Sequence, residues 1–248
     1  MLGLLVFNLF FGCADYAMIA IEKRVPEILV HPLHLDFGHL ESGAESDQKY
    51  FTVTNTGDDD LVITSPVLVS GNDRFGIIEP EEGDITIPGG EFIQIDVSYI
   101  PETYESNGGY IEITTTDEDE GYVQVTLEGY GDAPVMAVGP DDFDYGDISI
   151  GCDNEERVTV RNDGNLDLVV ESFSQMVTQP VDILMEMGSL PEPPWVLVPG
   201  QEIDFLVSYI PTDVGYDESA ITITGNDPMT PEVEVTQYGD GDVEQWYN

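Results

Sequence analysis

The chain repeats itself. The stretch FTVTNTGDDDLVITS, Phe51–Ser65, returns as VTVRNDGNLDLVVES, Val158–Ser172, with eight of the fifteen positions identical. The likeness extends in both directions. Leu35–Gly43 (LDFGHLESG) aligns with Phe143–Gly151 (FDYGDISIG), and Ile87–Pro101 (IPGGEFIQIDVSYIP) with Val198–Pro211 (VPGQEIDFLVSYIP). Tyr110–Asp119 aligns with Ala220–Met229, and near the end Tyr130-Gly131 is set against Tyr238-Gly239. A period of about 108 residues is a whole domain rather than a solenoid unit. The 248 residues therefore divide into a leading segment 1–27, domains 28–133 and 134–240, and a tail 241–248.

Inside each copy the apolar residues recur at every second position. Ile93, Ile95, Val97 and Tyr99 alternate with Gln94, Asp96 and Ser98; Ile203, Phe205, Val207 and Tyr209 do the same in the second copy. Such alternation describes strands with one face on a core and one in water. Val97, Tyr99, Val207 and Tyr209 are expected to point inward and Ser208 outward. Turn signals bound the strands: Asn55-Thr56-Gly57, Asn162-Asp163-Gly164, Pro88-Gly89 and Pro199-Gly200. The two Asn-x-Gly turns are expected to close a hairpin in each copy, with glycine taking a positive φ. Hydrophobic residues make up 41 %, enough for real cores. The expected fold is all-β: two tandem immunoglobulin-like β-sandwiches of about seven strands each.

The succession LDFG, TVTNTG, IPGG, VSYIP and ITITGNDP resembles the ASH/Hydin-type immunoglobulin-like domain, as in bacterial choice-of-anchor D surface proteins. The resemblance covers nearly everything after residue 28. It implies a structural or binding module with no catalytic residues to carry over, and in eukaryotes a place in ciliary or centrosomal scaffolds.

Charge narrows the partners. Six Lys and Arg stand against 50 Asp and Glu, a formal net charge of −44, and no basic residue follows Arg161. Nucleic acid and anionic lipid are excluded, since both need cationic side chains. Other proteins, surface polymers, basic partners and divalent cations fit this balance. The first twelve residues, MLGLLVFNLFFG, are too short to span a bilayer but fit a signal-peptide apolar region, and Cys13 follows a small residue. That resembles a bacterial lipobox and makes Cys13 the expected lipidation site; an ordinary secretory signal or an N-terminal strand are the alternatives.

Candidate chemistry is sparse. His31, His34 and His39 lie close in sequence with Asp36 among them. On one extended strand His31 and His34 would face opposite sides, and the second copy has Gly139, Asp142 and Asp147 where ligands would repeat. Carboxylates gather in TGDDDL, TDEDEG, GPDDFD and YGDGD, and calcium takes oxygen ligands of this kind. Asp117, Asp119 and Glu120 are the calcium candidates, against a plain solvated anionic surface. The spacing is not that of an EF-hand, and no acidic motif is strictly shared by both copies. No nucleophile elbow, phosphate loop or CxxC pair occurs, and Cys152 has no histidine near it in sequence. No catalysis and no cofactor are expected, calcium being the open alternative. The expected function is a non-catalytic structural or adhesive module of a secreted or lipid-anchored bacterial surface protein. Three readings stand beside it: an intracellular or ciliary scaffold, a calcium-stiffened adhesin stalk, and an accessory module of an enzyme.

Overall fold

The computed structural model describes residues 23–44, 48–70, 73–79, 83–177, 181–188 and 190–243. Among them are eighteen strands and no helix. In the first copy these are β1 (Ile28–His31), β2 (His34–Glu41), β3 (Gln48–Asn55), β4 (Leu61–Ser70), β5 (Phe75–Glu79), β6 (Ile85–Ile87), β7 (Phe92–Tyr99), β8 (Ser106–Thr115) and β9 (Tyr122–Asp132). A four-stranded sheet, β1-β3-β7-β5, faces a five-stranded one, β2-β9-β8-β4-β6.

The second copy follows with β10 (Met136–Gly139), β11 (Asp142–Ser149), β12 (Asn154–Asn162), β13 (Leu168–Val177), β14 (Ile183–Glu186), β15 (Trp195–Leu197), β16 (Glu202–Tyr209), β17 (Gly215–Gly225) and β18 (Glu232–Asp242). Its sheets, β10-β12-β16-β14 and β11-β18-β17-β13-β15, repeat the first pair strand for strand. Each copy encloses its own core. Phe51, Val53, Ile95, Val97 and Tyr99 pack in the first; Val158, Val160, Phe205, Val207 and Tyr209 pack in the second. Alternation along β3 and β7 delivers these side chains to one face, as period two requires.

Nine strands per copy exceed the seven expected. One reason is that the first strand region is split. After His31 the chain leaves the four-stranded sheet, and from His34 it runs parallel to β9 in the other sheet. The other is that Ile85–Ile87 and Trp195–Leu197 form three-residue strands too short to announce themselves. Ser208 also departs from expectation. At the end of β16 three successive residues, Val207–Tyr209, are buried. The segment leading into β14 binds there, through Ile210 N–H to the Asp182 carbonyl at 2.8 Å.

The Asn-x-Gly stretches do not close hairpins. β3 and β4 belong to different sheets, as do β12 and β13, so each stretch arches across the sandwich edge. Neither glycine has a positive φ. The reason for glycine is space. A Cβ on Gly57 would lie 2.3 Å from the Val25 carbonyl oxygen, and one on Gly164 2.2 Å from that of Ala133. The segment preceding each domain runs against the arch, and only a hydrogen fits between them.

Positive φ is used elsewhere in the repeat. β2 and β11 each break register against their parallel partner, at Gly38 (φ 66°) and Gly146 (φ 68°). Asp36 Oδ1 accepts the Gly38 N–H at 2.8 Å, and Asp144 Oδ1 the Gly146 N–H at 2.7 Å. The repeated Asp-aromatic-Gly is thus a bulge, with the carboxylate holding the turn.

Candidate functional site

The arch asparagines are fully buried and satisfied on all sides. Asn55 Oδ1 accepts from Gly57 N (3.0 Å) and Glu27 N (3.3 Å), while Nδ2 donates to the carbonyls of Asp59 (2.7 Å) and Ile87 (2.8 Å). Asn162 repeats the pattern with Gly164, Val135, Leu166 and Leu197. Each asparagine ties together the arch, the preceding segment and the end of a short strand. A buried amide with both donors and its acceptor engaged is a fold element, not a binding group.

The same holds for the leading calcium candidate. Asp117 is 5 % exposed. Its Oδ2 accepts the Ile28 N–H at 2.9 Å, and its Oδ1 accepts those of Asp119 (2.9 Å) and Glu120 (3.2 Å). The Ile28 hydrogen bond, followed by those from Asp119 and Glu120, holds the carboxyl below the usual range against the opposing effect of burial. Asp227 makes the equivalent three bonds in the second copy, to Met136 N (2.8 Å), Met229 N (2.9 Å) and Thr230 N (3.1 Å). Acidic positions are therefore shared by the copies after all, at Asp117/Asp227 and Asp36/Asp144. The self-alignment of the sequence already pairs both, although the loop residues that follow them differ. Asp119 and Glu120 are exposed beside Asp117.

The histidines are not brought together. His34 Nδ1 lies 3.0 Å from Thr126 Oγ1, and His39 Nδ1 lies 2.8 Å from Asp132 Oδ1. His31 sits on β1, in the opposite sheet, so the single strand assumed for His31 and His34 does not exist. Among the described residues no three His, Cys, Asp or Glu side chains assemble as a metal-binding group. Cys152 is an exposed thiol; Cys13 lies outside the described residues.

A groove of about 700 Å³ lies between β1 and the start of β9. Leu29, Leu33 and Tyr122 line it, each more than half exposed, with Asp119 and Glu120 at its rim. Its apolar lining beside carboxylates suits an amphipathic ligand better than a small polar one.

Residues 26–130 match the family described as HYDIN/CFA65/VesB-like, Ig-like domain. The first copy is similar to this family. The match ends at residue 130, and the second copy repeats the topology of this HYDIN/CFA65/VesB-like domain. Solved structures similar to the chain include a protein of unknown function from Porphyromonas gingivalis W83. It is 16 % identical over 86 % of this chain and 99 % of that one, with a TM-score of 0.36. The ASH/PapD-like domain 7 of human CEP192 is 9 % identical over 50 % of this chain and 96 % of that one, TM-score 0.34. The Vibrio cholerae VesB protease is 17 % identical over 42 % of this chain and 31 % of its own, TM-score 0.34. No curated protein matches the sequence.

Proposed function

We propose that the chain is a non-catalytic structural and protein-binding module, exported from a bacterial cell and anchored at its surface through a lipid on Cys13. One observation carries the non-catalytic part. Three pairs of polar side chains that recur in both copies, Asn55/Asn162, Asp117/Asp227 and Asp36/Asp144, are engaged with the backbone of their own domain. What repeats is a scaffold, and what varies is its surface. The immunoglobulin-like family of residues 26–130 agrees with this reading. The apolar run before Cys13 supports export and lipidation. Acyl chains contribute about 0.8 kcal/mol per buried methylene, so two or more anchor firmly.

Mass spectrometry of the protein purified from its native membrane fraction tests the address. The expected N-terminus is an acylated Cys13, and Cys13→Ala releases the protein from membranes. An intact Met1 on the mature chain would overturn the anchor.

A further inference from the structure

The split of the first strand leaves an open edge. β2 pairs with β9 only from Thr126 onward, so Tyr122–Val125 have β8 on one side and no strand of the sheet on the other. The ladder phase follows from Thr115 N–H, which donates to the Gly121 carbonyl at 3.0 Å. Bonded pairs alternate in an antiparallel ladder, so Ile113–Val123 and Ile111–Val125 are bonded, and Tyr122 and Gln124 turn their N–H and C=O away from β8. Thr126 shares that phase, and its N–H does reach outward, to the Leu33 carbonyl at 2.9 Å.

Across the groove β1 shows the same thing. Thr56 N–H donates to the Glu27 carbonyl at 2.8 Å, which sets residues 27, 29 and 31 towards β3 and turns the backbone of Ile28 and Val30 the other way. The Ile28 N–H is taken by Asp117. The groove thus runs between two strand edges, over Leu29, Leu33 and Tyr122, under Asp119 and Glu120.

We propose that this groove takes an extended segment of a partner protein in which aliphatic residues alternate with Lys or Arg, added as a strand beside Tyr122–Val125. The proposal rests on the protein-binding reading above and places its site. Main-chain bonds to the outward groups of Tyr122 and Gln124 supply affinity without regard to sequence, and alternate side chains supply selectivity. One face of such a strand lies on the leucines; the other meets Asp119 and Glu120. Charge complementarity selects the occupant. The chain carries −44, and Lys23, in the segment preceding β1, is held by Glu118 at 2.8 Å. Residues 1–22 contain no Lys or Arg, and a second copy of this chain would be repelled.

Titrating an eight-residue peptide of alternating Val and Lys into the isotope-labelled full chain tests this by NMR. Amide shifts are expected at Tyr122–Thr126 and Ile28–Val30. Affinity should fall at least tenfold in each of three cases: with Glu in place of Lys, with alternate peptide nitrogens methylated, and in the Asp119→Lys/Glu120→Lys variant. Both variant positions are exposed, and circular dichroism confirms that the sheet content is kept. No binding, or equal binding by the methylated peptide or the charge-reversed protein, overturns the proposal. Shifts confined to other surfaces overturn the groove and leave the protein-binding reading standing. Contacts from residues 1–22 to the groove amides in the peptide-free protein overturn it as well.

Discussion

Tyr209 donates its hydroxyl hydrogen to Asp217 Oδ2 at 2.8 Å, where the first copy sets Tyr99 against Asn107 Oδ1 at 2.7 Å. The geometry is one; the charge is not. Burial raises Tyr99 to about 12, with Glu105 and Asp132 adding to it. Burial likewise raises Tyr209, helped by its bond to Asp217. Burial also lifts the Asp217 carboxyl above its ordinary value, with Asp182, Asp213 and Asp240 adding to the shift against the lowering effect of the Tyr209 bond. A carboxyl whose folded pKa is raised stabilises the fold below its unfolded pKa and loses that contribution as pH rises through the folded value. The second domain is therefore weakened by Asp217 at neutral pH. Asp217→Asn, which copies the first domain, should raise the second domain's melting midpoint by a few degrees at pH 7, and by little once pH falls below the usual carboxylate range. Calorimetry across that range checks it; a gain independent of pH would remove the charge from the explanation.

At the scale of elements, the arch decides whether a domain receives its preceding segment. Gly164→Ala sets a methyl against the Ala133 carbonyl in the segment that joins the copies, where Asn165 also holds the Ala133 N–H at 3.0 Å and Asp132 Oδ1 at 2.6 Å. The backbone must shift, and a loss of more than about 2 kcal/mol is expected, as for other severe steric conflicts. Gly38→Ala meets nothing within 4 Å and bears only the strain of its φ of 66°, on the order of 1 kcal/mol. Denaturant midpoints of the two variants should rank in that order, and a reversal would mean that the arch yields. Strand phase offers a second comparison. Val97→Asp should unfold the first domain, whereas Ser98→Asp, on the half-buried face, should not. In the second domain the contrast should shrink, because Ser208 is buried beside Val207. Its hydroxyl has no hydrogen-bond partner among the described residues, so Ser208→Ala should cost little.

For the whole molecule, charge sets the response to ions. At −44, compaction brings like charges together, and the folded chain repels itself more than the unfolded one. Salt screens beyond about 8 Å at physiological strength and about 3 Å at 1 M, so the melting midpoint should climb with NaCl. Calcium and magnesium should act alike through the acidic loops. At 117–120 the buried carboxylate is already engaged by three backbone amides, which a divalent ion would have to displace. Thermal melts at matched ionic strength test this. A calcium effect that saturates below millimolar and exceeds that of magnesium would revive a specific site at Asp119 and Glu120.

The sequence by itself determined the repeat, the all-β class and the strand phase at Phe51, Val97 and Phe205, because a period of two and a self-alignment are local properties of the chain. It also singled out Asn55, Asn162 and the Asp-aromatic-Gly motifs as repeated features. What those residues do was decided by tertiary structure. Whether β3 continues into a hairpin or an arch depends on which sheet β4 joins, and no local pattern encodes that. The need for glycine at 57 and 164 arises from the Val25 and Ala133 carbonyls, each more than thirty residues earlier in the chain and brought near only by folding. Asp117 reads as a loop carboxylate until Ile28, 89 residues earlier, presents its amide. The groove beside β9 exists because β1 and β2 part company into two sheets, and a strand edge is a property of neighbours rather than of residues.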